Sequence, residues 1–337
     1  MILIDALHIN NSGGLILLDY LIKKIEESNL KVFYLLDSRI RNNYNFIESN
    51  KVVFVEANFR NRLLFYLKNK NKFRKVFCFA NVPPPIRLKS ITYTYFHQRL
   101  FLSIPTELSI KTKFYLSLKS NIAKLLSSNT NFWIVQTELM RDDFLNKFNN
   151  NRIEKIIICP FYPPLFSEKK LFITRKKATF LYVSTYNIHK NYENLLIGFK
   201  RFFDLNLLGE LHLTLDENSG DILKNIEIMR AEGYPIFNHG FVNRNRLYRL
   251  YKMSEFVIYP SFSESFGLGI IEGIENGCKV IGADLEYLKS VCNPSLVFNP
   301  NSPFSIADAL QKSLKNEIKE TNQLVFNEIK QLINFLK

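Results

Sequence analysis

The stretch from Pro260 to Glu272 reads P-S-F-S-E-S-F-G-L-G-I-I-E and carries two carboxylates separated by seven residues. The residues before it, 255–260, are mostly apolar and indicate a short buried strand. The Ser, Phe and Gly residues that follow indicate a loop holding Glu264, and the apolar residues after them indicate a helix holding Glu272. A helix N-terminus exposes unpaired N–H groups and attracts a phosphate, while a carboxylate further along accepts hydrogen bonds from paired hydroxyls. Phosphates beside hydroxyls describe a sugar nucleotide.

This pattern resembles the E-x7-E signature of the family 4 retaining glycosyltransferases, which have the GT-B fold. The match continues through residues 273–284, G-I-E-N-G-C-K-V-I-G-A-D, with Lys279 at the position of the family's proline. The resemblance implies an α/β protein in which two doubly wound, Rossmann-like domains face each other across an interdomain cleft. It also implies transfer of a sugar from a nucleotide-diphosphate donor with retention of configuration, in the biosynthesis of a surface polysaccharide such as O-antigen or capsule.

Short apolar runs alternate with helical patterns, which predicts parallel sheets covered by helices on both faces. Strands are predicted at 2–7, 31–36, 52–55, 75–79, 92–96, 132–136, 178–183, 211–215, 236–239, 255–260 and 279–283. Helices are predicted at 15–28, 108–127, 138–148, 192–203, 221–232, 245–253, 285–291 and 303–314.

Prolines at 160, 163 and 164 and a charged run interrupt this alternation. They predict a linker at 161–177 between a domain at 1–160 and a second domain at 178–316. By the resemblance, the first domain binds the acceptor and the second binds the nucleotide sugar. The amphipathic stretch 317–337 is predicted to be one helix, and the resemblance implies that it returns to the first domain.

A second loop, residues 184–191, reads S-T-Y-N-I-H-K-N and follows the first predicted strand of the second domain. It resembles the family loop that binds the donor diphosphate, and the resemblance assigns that role to Lys190. The family's arginine position falls on Thr185, so half of the usual cationic clamp is missing. His189 or a basic residue of the first domain is the candidate replacement.

Several further residues resemble the family at isolated positions, outside these two motifs. Gly13 and Gly14 follow the first strand, where glycine lets a backbone approach a ligand closely. By the resemblance, His97 lies near the transferred sugar, and the turn with Phe241 and Val242 borders the nucleobase. The alternative interpretations are a tight turn at the glycine pair and a structural histidine. The predicted catalytic residues are thus Glu264, Lys190 and His97, and the predicted donor contacts are Glu272, Gly13, Gly14, Phe266, Gly267, Leu268, Thr185, Phe241 and Val242.

The net charge of +14 is concentrated in one half of the chain. Residues 1–165 hold 24 Lys/Arg and 12 Asp/Glu, whereas residues 166–337 hold 21 and 19. The basic and aromatic run 60–75 predicts that the first domain contacts an anionic membrane surface, with Phe65, Tyr66 and Phe73 inserting. The alternative is a solvated helix whose apolar side lies in the core. The predicted membrane contacts are Arg62, Lys68, Lys70, Lys72, Arg74 and Lys75.

Composition bounds the remaining partners. No apolar run approaches the roughly 18 residues of a membrane span, and the first residues are typical of a strand and not of a signal peptide. The four cysteines lie far apart in apolar contexts, which predicts reduced core residues in a cytoplasmic protein. Together with the predicted membrane contact, this gives an expected location on the inner face of the cytoplasmic membrane, as a peripheral protein. No Asp-x-Asp pair predicts a metal, no cofactor is expected, and no nucleic-acid motif occurs. The expected partners are a nucleotide-sugar donor and a glycan or polyprenyl-diphosphate-linked acceptor.

Three functional hypotheses compete. Glycoside hydrolysis also uses two carboxylates, but there both flank the scissile bond, whereas one is assigned here to the ribose. The first hypothesis is a retaining glycosyltransferase, and the second is a GT-B sugar-nucleotide epimerase, which a product assay with and without acceptor distinguishes. The third is a non-catalytic transferase-like subunit or a nucleic-acid binder, and binding to nucleic acid would show a steep salt dependence.

Overall fold

The computed structural model describes residues 1–106, 108–148, 153–166, 173–315 and 317–337. It divides the chain into two compact units. The first comprises Met1–Ile104, Ser109–Pro163 and Phe326–Lys337, and the second comprises Pro105–Leu108 and Pro164–Val325. Of the predicted linker 161–177, residues 167–172 lie outside the described residues, and residues 176 and 177 belong to a strand.

The first unit is built on a parallel sheet with, in the described residues, seven strands in the order β3-β2-β1-β4-β5-β6-β7. The strands are β1 (Ile2–Ala6), β2 (Val32–Asp37), β3 (Val52–Val55), β4 (Lys75–Cys78), β5 (Ile91–Tyr95), β6 (Phe132–Val135) and β7 (Ile156–Ile158). All five residues of β1 are buried, because a parallel sheet is covered on both faces. The order of the strands reverses between β1 and β4, which is where ligands bind in such sheets.

The second unit has the same design. Its parallel sheet has, in the described residues, six strands in the order β10-β9-β8-β11-β12-β14, and the order reverses between β8 and β11. The strands are β8 (Lys176–Tyr182), β9 (Glu210–Leu213), β10 (Ile236–Asn238), β11 (Ser254–Tyr259), β12 (Lys279–Ala283) and β14 (Leu296–Phe298). A short antiparallel pair joins β13 (Cys292–Asn293) to β15 (Asn322–Gln323). The predicted α/β class with two doubly wound sheets is confirmed.

Helices connect the strands. In the first unit they are α1 (Ser12–Glu26), α2 (Phe59–Asn69), α3 (Ile110–Leu125), α4 (Glu138–Phe148) and α11 (Ile329–Leu336). In the second they are α5 (Tyr192–Asn206), α6 (Asp221–Ala231), α7 (Arg244–Met253), α8 (Leu268–Glu275), α9 (Glu286–Lys289) and α10 (Pro303–Lys312). Short 3-10 turns lie at Ser38–Tyr44, Arg99–Phe101, Leu126–Asn129, Ile153–Lys155, Ile188–Lys190 and Glu217–Ser219. Across the described residues, none of the helices has the length and apolar character needed to traverse a bilayer.

The predicted terminal helix over 317–337 is wrong in its extent, since α11 covers only Ile329–Leu336. The backbone groups of residues before α11 form hydrogen bonds outside any helix. Two of them form β15, and the amide of Glu328 donates to the carbonyl of Pro160 at 2.7 Å. The side-chain oxygen of Asn327 accepts the amide of Ile329 at 3.2 Å, so the helix starts there with one of its free donors satisfied. Helix α11 packs against α1 within the first unit.

The four cysteines are buried and unpaired, as predicted. Burial raises the pKa of the thiols of Cys78, Cys159 and Cys292 to about 12. A thiol with so high a pKa carries almost no thiolate at neutral pH and is therefore unreactive.

The prediction that Arg62 contacts a membrane is wrong, because its side chain is buried inside the first unit. Its Nε donates to Oδ2 of Asp5 on β1 at 2.8 Å. Its two terminal nitrogens donate to the carbonyls of Pro83 and Val82 at 2.8 and 2.9 Å. A buried carboxylate requires a cation, and α2 supplies it from its inner face.

Four further members of the run 60–75 pack or form hydrogen bonds within the first unit. Tyr66 and Phe73 belong to the core of the first unit, so the predicted insertion of these two rings is wrong. Arg74 and Lys75 donate to the carbonyls of Lys337 and Phe335 at 2.7 and 2.8 Å and thereby hold the end of α11. The remaining lysines at 68, 70 and 72 are exposed.

Replacing Arg62 by Ala should lower the free energy of unfolding by about 3–5 kcal/mol, because it leaves the carboxylate of Asp5 buried without its cation. The matched control is Arg60→Ala on the same helix, where the arginine is exposed. Urea unfolding followed by circular dichroism measures both. Equal, small effects of the two substitutions would contradict the role assigned to the buried pair.

Candidate functional site

Two loops meet at the carboxyl ends of β8 and β11, the strands between which the second sheet reverses its order. The amide of Phe262 donates to the carbonyl of His189 at 2.8 Å. The side-chain amide of Asn191 donates to the carbonyl of Pro260 at 3.0 Å. Asn191 itself is in the left-handed region at φ +58°, which asparagine adopts more readily than most residues. These bonds join the two loops into one platform.

The platform brings together two of the residues predicted as catalytic. Nζ of Lys190 lies 2.7 and 2.8 Å from the two carboxylate oxygens of Glu264. The hydroxyl of Ser261 donates to the same carboxylate at 2.7 Å and lies 2.8 Å from the hydroxyl of Tyr182. Both charged side chains are largely buried, so the pair is a strong, charge-assisted contact. An anion arriving here would compete with Glu264 for Lys190.

Helix α8 begins directly beside this pair. Gly267 precedes it at φ +63°, and a Cβ on this residue would lie 2.6 Å from Cδ1 of Ile270, so only glycine fits. The side chain of Phe266 is buried and anchors the turn. The helix starts at Leu268. The amide of Ile270 donates to the carbonyl of Gly267 at 2.8 Å, whereas the amides of Leu268 and Gly269 precede the first hydrogen bond of the helix. They form a ready site for a phosphate.

Glu272, the second carboxylate of the motif, is buried within α8. Its Oε1 lies 2.9 Å from a terminal nitrogen of Arg244, and its Oε2 accepts the hydroxyl of Tyr251 at 3.3 Å. Burial raises the pKa of the Glu272 carboxyl above its ordinary value, and the Arg244 guanidinium opposes that rise. The second carboxylate is therefore also matched with a cation.

Arg244 was missed in the sequence. It opens α7 directly after the capping residue Asn243, whose side chain accepts the amide of Arg246 at 2.9 Å. A positive charge in the first turn opposes the helix dipole, so an arginine there indicates a carboxylate partner elsewhere. That was the available signal. Nothing in the sequence distinguishes Ser261 or Tyr251 from ordinary loop and helix residues.

Thr185, which occupies the position of the family's arginine, is exposed in its loop. The candidate replacement His189 is buried, and burial lowers its pKa to about 4. One of its ring nitrogens, Nδ1, lies 2.7 Å from the side-chain oxygen of Asn187. His189 is therefore uncharged at neutral pH and supplies no cation.

The turn predicted to border the nucleobase lies between β10 and α7. Phe241 is almost fully exposed there, and Val242 is half-buried. The side chain of Asn238 fixes the start of the turn, because it bonds both the amide and the carbonyl of Leu215, at 2.9 and 3.0 Å. An exposed ring on a fixed turn can stack on a flat ligand.

In the first unit, the glycine pair does not lie in the connecting loop, as expected, but in the first turn of α1. A Cβ on Gly13 would meet open space, and one on Gly14 would lie 3.8 Å from Nε2 of His97. His97 stacks on Phe79 with 5.3 Å between the ring centroids, and burial lowers its pKa to about 4. Within the described residues its Nδ1 has no hydrogen-bond partner. The structure thus brings Gly14 and an uncharged His97 together.

In the part of the chain that the structure describes, no group of three or more His, Cys, Asp or Glu side chains is arranged to hold a metal ion. The charged groups at the second-unit site are instead two carboxylates, each with its own cation.

Replacing Arg244 by Met should lower the free energy of unfolding at neutral pH by about 1–3 kcal/mol, because it leaves the buried Glu272 carboxylate without its strongest partner. The pKa of Glu272 is raised in the folded protein, so protonation of this carboxyl favours the folded state. The stabilisation that protonation gives is lost as the pH rises through that pKa. The deficit of the variant should therefore shrink in acid. Thermal unfolding at neutral and acidic pH tests this, with the exposed Arg249→Met on the same helix as control. A deficit independent of pH would contradict the pairing.

Comparison with known protein families gives a match that lies mainly in the second unit. Residues 166–331 match the model of the family described as glycosyl transferases group 1. A search of curated proteins finds no match.

Solved structures share the fold over most of the chain. The sucrose-phosphate synthase of Thermosynechococcus elongatus is 16% identical, with a TM-score of 0.70 over 94% of this chain and 90% of that one. The lipopolysaccharide outer core galactosyltransferase WaaB is 14% identical, with a TM-score of 0.67 over 94% and 91%. HepE of Anabaena, in complex with UDP and glucose, is 12% identical, with a TM-score of 0.65 over 94% and 90%. Residues 166–331 thus belong to the group 1 glycosyltransferases, the retaining enzymes of family 4, and the chain has the GT-B fold.

Proposed function

We propose that this glycosyltransferase moves a hexose-type sugar from a nucleoside-diphosphate donor to a glycan or polyprenyl-diphosphate-linked acceptor in surface-polysaccharide biosynthesis. The observation that carries the proposal is the pair of Lys190 and Glu264, held beside the N-terminus of α8 where the second sheet reverses its order. A cation and free amides suit a diphosphate, and a carboxylate suits sugar hydroxyls.

The donor would lie along the second unit in a fixed direction. Its diphosphate would contact Lys190 and the first-turn amides of α8, with the turn at Gly267 allowing the close approach. Its ribose hydroxyls would donate to Glu272, joining or displacing the Arg244 contact. Its base would lie against the turn of Phe241 and Val242. Thr185 would border the diphosphate without adding charge.

In the reaction, the bond between the anomeric carbon and the diphosphate oxygen breaks, and a bond to the acceptor oxygen forms on the same face of the sugar. The acceptor's proton passes to the departing phosphate oxygen. Negative charge grows on the diphosphate, and Lys190 and the α8 amides stabilise it, as preorganised donors do in other enzymes. Glu264 orients the sugar hydroxyls. In the first unit, the amides near Gly13 and Gly14 and the uncharged His97 would contact the transferred sugar.

Two observations support a surface-polysaccharide acceptor. One similar solved structure is, by its name, a lipopolysaccharide outer core galactosyltransferase. The first 165 residues hold twice as many basic as acidic residues, which favours an acceptor carried on an anionic diphosphate or presented at an anionic membrane. We therefore propose a peripheral location on the inner face of the cytoplasmic membrane.

Substitution of Glu272 and of Glu264 should affect donor affinity and turnover differently. Glu272→Gln should weaken donor binding about ten- to hundredfold, because it removes a charge-assisted acceptor from the ribose hydroxyls. Glu264→Gln should lower turnover about a hundredfold or more while leaving donor affinity within a few fold, because its contacts count mainly in the transition state. Calorimetry with the cognate donor and initial rates measure both. The control is Glu275→Gln, an exposed carboxylate on α8.

Unchanged donor affinity in Glu272→Gln would reject the ribose contact. Equal losses of affinity and turnover in Glu264→Gln would mean that the roles of the two carboxylates are misassigned. Conversion of the donor to its epimer without acceptor would replace the transferase proposal by the epimerase alternative.

Transfer should continue in EDTA. The sequence has no Asp-x-Asp pair, and in this proposal the diphosphate charge is met by Lys190 and backbone amides. Initial rates with and without chelator test this. A complete loss of activity that Mg²⁺ restores would contradict it.

A further inference from the structure

Helix α3 of the first unit carries an apolar face that its own unit does not cover. Its exposed apolar residues recur every three or four positions, and residues at this spacing share one face of a helix. They are Ile110, Phe114, Leu118, Ile122 and Leu125. The residues that α3 buries lie on the opposite side, and they are Leu116, Ser120 and Ala123.

The exposure of this face is large. The exposed fractions of Ile110, Phe114 and Leu125 are 86%, 72% and 80%. Single exposed apolar residues are common on protein surfaces, but a continuous stripe of five indicates a binding surface. The side chain of Ser109 caps the helix by accepting the amide of Thr112 at 3.2 Å, so the stripe is present before any partner arrives.

The charged residues of α3 itself are all positive. The helix carries Lys111, Lys113, Lys119 and Lys124, and the sequence from 108 to 137 contains neither Asp nor Glu. Successive residues turn by about 100°, which places Lys113 and Lys124 on one side of the stripe and Lys119 on the other. Lys111 lies within the stripe's angular range, in the first turn of the helix. Nζ of Lys119 lies 4.2 Å from the ring centroid of Tyr115, so its stem lies along the apolar surface and its charge at the rim.

From this arrangement we infer that α3 is a docking surface for an anionic lipid bilayer, lying in the plane of the interface with its apolar stripe below the phosphates and its lysines among them. An amphipathic helix with cationic flanks and aromatic and aliphatic residues on its other face has the chemistry for this. A protein partner fits less well, because lysine is depleted from protein interfaces. The inference deepens the proposed function, on which it rests for the purpose of docking, which is to meet a lipid-carried acceptor.

Vesicle sedimentation in the absence of donor and acceptor tests the surface. The probes are vesicles of phosphatidylcholine alone and of phosphatidylcholine mixed equally with phosphatidylglycerol. The wild type should pellet with the mixed vesicles only, and less so at high salt. A Lys111/Lys119/Lys124→Glu variant should bind them about a hundredfold or more weakly, since each lysine near an anionic surface is worth about a fivefold factor.

The matched control is Lys68/Lys70/Lys72→Glu, which makes the same change of charge on the segment that the sequence favoured. It should bind nearly as the wild type does. If the two variants bind equally, or if the control loses more, the docking surface is not α3. If the wild type does not bind mixed vesicles at all, the inference is overturned, while the proposed transfer, measured with a soluble acceptor, stands untouched.

A fluorescence reporter tests the depth of contact without removing any charge. The chain has a single tryptophan, Trp133, which is buried. Leu118 on α3 and Leu67 on α2 have nearly equal exposed fractions, 50% and 51%, so each accepts a Trp without disturbing the fold. Mixed vesicles should shift the emission of Leu118→Trp to shorter wavelength and protect it from acrylamide, and should leave Leu67→Trp unchanged.

An unshifted Leu118→Trp in protein that pellets with vesicles would overturn the inference. So would a wild type that sediments as a dimer and becomes a monomer in Leu118→Asp with vesicle binding intact, because the stripe would then belong to a second copy of the chain. Transfer lost in a variant that still binds vesicles would count against the proposed function alone.

Discussion

The second unit depends on one electrostatic constraint: each of its two motif carboxylates is held next to a cation. Glu264 is bonded to Lys190 from the neighbouring loop, and Glu272 to Arg244 from the neighbouring helix. Burying a carboxylate is costly unless a partner compensates, so these pairs fix the loops and helices that carry them. The same groups are what a nucleoside-diphosphate sugar requires, since phosphates need the cation and hydroxyls need the carboxylates. The site is thus kept together by contacts that a donor would partly replace.

The positions of Glu264 and Lys190 were predictable because each lies in a loop that directly follows a strand. The E-x7-E stretch and the Lys190 loop each follow a strand, and parallel strands bring their carboxyl ends to one edge of the sheet. The sequence therefore predicted both the doubly wound sheets and the two residues, Lys190 and Glu264, that the platform brings together. Arg244 escaped because its partnership with Glu272 joins residues 28 apart through the packing of two helices, and only its awkward place in a helix's first turn indicated it. The terminal helix was too long in prediction because an amphipathic pattern does not reveal backbone bonds to a distant loop.

The first unit shows why basic and aromatic composition alone misled. The run 60–75 and helix α3 are similar in composition. Several aromatic and basic side chains of the run are buried or bonded within the first unit, whereas most large apolar side chains of α3 are exposed. Asp5 is buried on β1 and requires Arg62, which turns part of the first run inward together with Tyr66. Helix α3 buries Leu116, Ser120 and Ala123, and its other large apolar side chains are exposed. Composition alone does not distinguish residues that face inward from residues that face outward, and the buried carboxylate of Asp5 is what turns Arg62 and Tyr66 inward.

The most direct test of the account is the melting temperature of the protein against a panel of nucleoside-diphosphate sugars, because a ligand that binds only the folded state raises it. The account predicts that one class of donor raises the melting temperature of the wild type, and that a variant with Lys190 and Arg244 both replaced by Met is folded but does not respond. A wild type indifferent to every nucleoside-diphosphate sugar, or a double variant that responds as the wild type does, would contradict it.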